Sequence, residues 1–129
     1  DEQNSHCSIL VVGHGSSDKA ARTAFLFTVN KLKPHFKLVN YCFLELDYPR
    51  IKDGINNTIR DDTKIMIIVP YFLHKGSHIK KDVTDDINSA LEGERFTNIF
   101  IADHIGVDPK MVDLVLERAK EAELSVISR

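Results

Sequence analysis

Four short apolar runs alternate along the chain with stretches of helical spacing, and this alternation constrains the fold more than any other feature. The runs are Ser8-Ile9-Leu10-Val11-Val12, ended by Gly13; residues 36–46, with Val39, Tyr41, Phe43 and Leu44; Lys64-Ile65-Met66-Ile67-Ile68-Val69; and Asn98-Ile99-Phe100-Ile101-Ala102. They are continuous and rich in β-branched residues, the pattern of strands buried on both faces. Between them, residues 19–33 place Ala20, Ala24, Phe27 and Leu32 at helix-like spacing, and Pro34 closes the segment. Residues 49–60 carry Ile51, Ile55 and Ile59, with Pro49 favourable at a helix start. Residues 79–91 carry Ile79, Val83, Ile87 and Leu91, followed by Gly93. Residues 109–124 carry Val112, Val115, Leu116, Ala119 and Ala122, and Asp108-Pro109 supplies a cap and first turn. The order β-α-β-α-β-α-β-α predicts an α/β domain of three layers: a four-stranded parallel sheet with right-handed crossovers and helices on both faces.

At 129 residues the chain has room for one domain, residues 1–129, with 1–7 and 125–129 expected to be mobile. Its 17 basic and 19 acidic residues give a formal charge of −2, which argues against a broad basic face for nucleic acid. The longest apolar run, residues 65–69, stops at Pro70, far short of the about 20 residues a membrane-spanning helix needs. No signal-peptide pattern opens the sequence, although Asp1-Glu2-Gln3 without Met leaves room for a removed targeting segment. Cys7 and Cys42 form no CxxC pair and no disulfide framework. They read as small apolar residues of a reducing compartment, and the expected location is cytoplasmic.

In an open parallel sheet, ligands bind beyond the carboxyl ends of the strands, where strand order reverses. Four of the six histidines fall on that edge: His14, His74, His78 and His104. The first strand is followed by Gly13-His14-Gly15-Ser16-Ser17, the second by Glu45-Leu46-Asp47-Tyr48, the third by residues 71–78 and the fourth by Asp103-His104-Ile105-Gly106. Neighbouring strands lie about 4.8 Å apart, so groups at the ends of three of them can converge across roughly 10 Å. His14, Glu45 and His78 can then address one metal ion. Two imidazoles and a carboxylate with open positions suit a divalent first-row metal that must be passed on. Each of these residues also has a plainer reading, His14 as a loop hydrogen-bonder, Glu45 as a solvated strand end, His78 as part of a helix cap, and His74 and His104 as exposed loop residues. Competing motifs fail: Gly13-x-Gly15-x-x-Asp18 lacks the third glycine of a dinucleotide fingerprint, and there is no GxxxxGK[ST] loop or GxSxG elbow.

The residues Val11-Val12-Gly13-His14-Gly15-Ser16, Phe43-Leu44-Glu45 with Pro49 and Ile51, Val69-Pro70-Tyr71-Phe72-Leu73-x-x-Gly76-x-His78 with Asp82, and Ile105-Gly106 with Pro109 carry a resemblance. In order and spacing they are similar to the small sirohydrochlorin chelatases, the short CbiX-type cobaltochelatases and SirB-type ferrochelatases. The resemblance implies a chelatase-like domain that inserts Co2+ or Fe2+, or in one related group Ni2+, into sirohydrochlorin. That reaction lies on the routes to cobalamin or sirohaem and runs without ATP or an organic cofactor. It also implies a homodimer, with His14 and His78 as metal-binding histidines and Glu45 as the additional acid, all three taken as catalytic. Ser16, Tyr48, Tyr71, Phe72, Leu73, Lys75, Gly76 and Ser77 are the candidate substrate-binding residues. Two positions depart from the family pattern: Ser17 and Ser77 stand where many members carry Arg. Lys75, Lys80, Lys81 and Arg50 are the nearby cations in sequence, without the bidentate geometry of a correctly placed Arg. A rival reading follows from those serines: a non-catalytic tetrapyrrole or metal carrier that kept the cleft and lost turnover. A third is a half-molecule that works only with a different partner chain.

Overall fold

A computed structural model describes residues 6–59, 64–73 and 98–127, together with the helical residues 85, 86, 88 and 89. Its elements are β1 (Cys7–Gly13), α1 (Lys19–Leu32), a 3-10 turn (Lys33–His35), β2 (Leu38–Phe43), α2 (Ile51–Thr58), β3 (Ile65–Pro70), β4 (Asn98–Ile101) and α3 (Pro109–Ile127). The four strands form one parallel sheet in the order β2-β1-β3-β4. The fold class read from the sequence is therefore the observed one.

The strand order dictates where the helices go. From β1 the chain moves one way to β2, then doubles back across β1 to β3. Right-handed crossovers in opposite directions must leave their helices on opposite faces. On one face, Ile9 and Val11 of β1 pack with Phe43 and with Phe25 and Val29 of α1. On the other, Leu10, Val12, Cys42, Met66 and Ile68 pack with Ile51 and Ile55 of α2. Every residue of β1 is buried, as the central strand of a doubly covered sheet must be. Gly54 lets α2 approach, because a Cβ there would stand 2.6 Å from the Cys42 Cβ.

Several expectations need correction. The buried face of α1 is Phe25 and Val29, with Leu26 and Leu32 partly covered, and not the Ala20, Ala24 and Phe27 face. Phe27 is 63% exposed beneath the Lys31 ammonium. Two phases compete in Phe25-Leu26-Phe27, and alanines carry too little apolar area to decide between them. Pro49 precedes α2 instead of opening it: the Tyr48–Pro49 bond is cis and Arg50 is the N-cap. Apart from these corrections, Cys7 opens β1 and is buried, and α3 runs to Ile127. Asp108 does cap α3, its Oδ1 accepting from the Lys110 N–H at 2.8 Å. The apolar stripe of that helix is not covered, however, and Val112, Val115 and Leu116 are 60%, 66% and 62% exposed. Most of the expected 79–91 helix lies outside the described residues.

Candidate functional site

The strand order reverses between β1 and β3, and the site is built at the carboxyl ends of β1, β2 and β3. Beyond Gly13 the parallel pairing continues into the loops. The Leu44 N–H donates to the Gly13 carbonyl at 3.0 Å and the Glu45 N–H donates to the His14 carbonyl at 3.2 Å. This backbone zip holds His14 beside Glu45. It requires glycine at position 15, where φ is 99° and a Cβ would collide with the Glu45 carbonyl oxygen.

His14 Nδ1 stands 3.6 Å from Glu45 Oε1, and both side chains are 58% exposed. That separation exceeds a hydrogen bond but places a carboxylate beside any positive charge arriving at the imidazole. The other side of His14 meets Phe72 edge-on, with ring centroids 5.8 Å apart. Phe72 is itself 8% exposed and anchored in the α2-side core. One neighbour of the imidazole is thus a fixed apolar wall and the other an exposed carboxylate.

Past Glu45 the chain reverses at Leu46, whose φ of 67° is uncommon for a bulky residue. The reversal brings Asp47 back under the β1–α1 loop. Asp47 Oδ2 accepts from the Ser16 N–H at 3.0 Å, and Asp47 Oδ1 lies 3.4 Å from Nη1 of Arg22. Ser16 Oγ in turn accepts from the Asp18 N–H, and Asp18 Oδ1 caps α1 at the Ala20 N–H. The Arg22 guanidinium rests against the ring of Phe43, 5.1 Å from its centroid, and donates to the Tyr48 carbonyl at 3.5 Å. Arg50 stacks over Tyr48 at 4.6 Å from the ring centroid.

These groups frame a cleft of about 350 Å3. Gly13, His14, Gly15 and Ser16 form one wall, and Ala21, Arg22, Ala24 and Phe25 of α1 another. Phe43, Asp47 and Tyr71 complete it. Tyr71 is pinned by its N–H donating to the Val12 carbonyl at 2.8 Å.

Of the residues singled out in the sequence, the fold brings together His14, Glu45, Ser16, Tyr71 and Phe72. Leu73 and Tyr48 lie on the same edge but are 58% and 68% exposed. His74, Lys75, Gly76, Ser77, His78, Lys80 and Lys81 lie outside the described residues. Among the described residues no group of three His, Cys, Asp or Glu side chains is placed to hold a metal. Arg22 was not foreseen as a site residue. Its signal was present, since it stands three residues before Phe25 and seven before Val29, on the helix face that turns to the sheet. His104 sits at the end of β4 with its Nδ1 buried, and it packs against Gly106.

The chain is 31% identical over 114 residues to the sirohydrochlorin cobaltochelatase of Sulfolobus acidocaldarius, covering 88% of this chain and 90% of that one. It is 28% identical over 119 residues to the sirohydrochlorin ferrochelatase of Priestia megaterium, covering 91% of this chain and 45% of that longer one. In structure it is similar to the sirohydrochlorin chelatase SirB of Bacillus subtilis subspecies spizizenii in complex with cobalt. The TM-score is 0.80 at 29% identity, over 89% of this chain and 50% of that one. The family model described as CbiX matches residues 8–122. A match over that span, on a sheet whose reversal point carries the His14–Glu45 pair, makes this chain a member of the CbiX family.

Proposed function

We propose that the protein inserts a divalent metal, Co2+ or Fe2+, into sirohydrochlorin. The observation that carries this reading is the exposed His14–Glu45 pair set against the buried ring of Phe72, at the mouth of the cleft where the strand order reverses. Relatives named as sirohydrochlorin cobaltochelatase and ferrochelatase support it, as does a structural neighbour in complex with cobalt.

The reaction exchanges one metal dication for two pyrrole N–H protons. The protein must present the ion with open coordination positions and receive protons as the macrocycle closes on it. His14 is an exposed imidazole able to ligate or to accept a proton by general-base catalysis. Glu45 faces it and stabilises the positive charge that either event brings. His78, two residues after Gly76 in the sequence, is the proposed second histidine. The aromatic ring of Tyr71 in the cleft and the edge of Phe72 offer an apolar surface to a flat macrocycle.

The metal is a substrate, no organic cofactor takes part, and the working unit is a homodimer in the cytoplasm. Among the described residues no helix is long and apolar enough to cross a membrane. Anaerobic mixing of protein, sirohydrochlorin and Co2+ or Fe2+, followed by absorbance against a no-enzyme control, tests the reading. Many turnovers above the spontaneous rate support it. A spectral change that stops at one equivalent replaces it with a carrier.

A further inference from the structure

We infer that Arg22 forms a carboxylate-binding site in the floor of the cleft, which takes one acid side chain of the tetrapyrrole. The inference rests on the proposed function, because the ligand it names is that function's substrate. Sirohydrochlorin carries eight carboxylate side chains, and this chain has Ser17 and Ser77 where the family resemblance leads one to expect Arg in many members. The fold supplies a different arginine. Arg22 arises one turn into α1 and reaches the cleft that His14, Gly15 and Ser16 wall on the other side.

Its setting is that of an oriented guanidinium and not of a loose surface cation. The group lies 5.1 Å from the Phe43 centroid and 5.9 Å from that of Tyr41. Asp47 holds it from one end at 3.4 Å and the Tyr48 carbonyl accepts at 3.5 Å. Among the described residues both oxygen contacts of the side chain fall on Nη1, so Nη2 and Nε of the fork are left to donate. Asp47 is already shared with the Ser16 N–H, so it anchors the guanidinium without enclosing it. The side chain is 33% exposed, open enough for a ligand and covered enough that an incoming carboxylate meets less screening than at a free surface. A planar fork whose Nε–Nη2 edge is free suits a carboxylate in a way that a lysine point charge does not.

Arg22 is therefore a substrate-binding residue, separate from the His14–Glu45 pair that handles metal and protons. The test is a titration of metal-free sirohydrochlorin into wild-type, Arg22→Ala and Arg22→Lys proteins, with Co2+ affinity and steady-state rates measured in parallel. Arg22→Ala is expected to weaken tetrapyrrole binding by roughly tenfold to a hundredfold, the worth of a charge-assisted hydrogen bond. Arg22→Lys should recover part of that loss. KM for sirohydrochlorin should rise while kcat and Co2+ affinity stay within about twofold. Circular dichroism and Tm on each variant separate this from misfolding, and Arg22→Lys carries the test if Arg22→Ala does not fold. Unchanged tetrapyrrole affinity in a folded Arg22→Ala protein that still turns over overturns this inference alone. A wild-type protein that binds sirohydrochlorin but never inserts metal, or does not bind it at all, overturns the proposed function instead.

Discussion

The two sides of the sheet's carboxyl edge are built differently. On the β2-β1 side, two helices cover opposite faces, Leu10, Val12, Cys42 and Ile55 are fully buried, and the loops are tied together by backbone hydrogen bonds. On the β4 side, Phe100 is 56% exposed, and the apolar positions of α3 point into solvent. The candidate site grows from the first region. His14, Glu45, Ser16 and Asp47 are each placed by backbone contacts to neighbouring loops, and those loops spring from strands that cannot shift without opening the core. A site that must meet both an ion and a rigid macrocycle needs such placement, because misplacement of even 1 Å or so is costly in rate.

The contrast predicts a steep gradient of mutational cost. Ile55→Ala, at the centre of the α2-side core, should cost about 2–5 kcal/mol of stability by chemical denaturation. Val115→Ala on α3 should change it by less than about 0.5 kcal/mol. A Val115→Ala cost near that of Ile55→Ala would break the comparison and mean that α3 is packed in solution.

Next in size is Gly15→Ala, which forces φ of 99° on an alanine and drives its methyl into the Glu45 carbonyl. A stability loss of about 1–3 kcal/mol is expected by thermal unfolding, with metal insertion falling at least tenfold because His14 and Glu45 part. Full activity in a folded Gly15→Ala protein would show that the backbone zip does not position the pair.

Burial, aided by the charge of Asp86, pushes the Cys42 thiol up to about 12. The folded state then holds a proton that the unfolded chain releases near the ordinary thiol value. Stability from this source is complete below about pH 8.5 and falls as pH rises from there towards 12. Denaturation midpoints between pH 8 and 10.5 should show the decline, and Cys42→Ala should flatten it. An equal decline in that variant assigns it to other groups. A small effect also belongs to Leu46→Gly, which relieves the left-handed backbone but loosens the unfolded chain, so stability should move by less than about 1 kcal/mol.

The sequence made the strands legible because buried parallel strands leave continuous β-branched runs. It made the His14–Glu45 pairing legible because adjacent strand ends converge whatever the loops do. It misled at α1, where Phe25 and Phe27 offer rival phases, and at α3, where amphipathic spacing reports what a helix is able to bury and not what covers it. The spacing to Phe25 and Val29 could have put Arg22 on the sheet-facing side of α1, but its pairing with Asp47 depends on the reversal at Leu46, and no local rule predicts a leucine with positive φ.

The central claim is that the His14–Glu45 edge performs metal insertion, and anaerobic turnover with His14→Ala tests it most directly. The variant leaves the core untouched, since His14 is an exposed residue. The account predicts that wild-type protein converts many equivalents of sirohydrochlorin, whereas folded His14→Ala still binds the macrocycle but inserts metal no faster than the spontaneous reaction. Wild-type turnover in folded His14→Ala would contradict it.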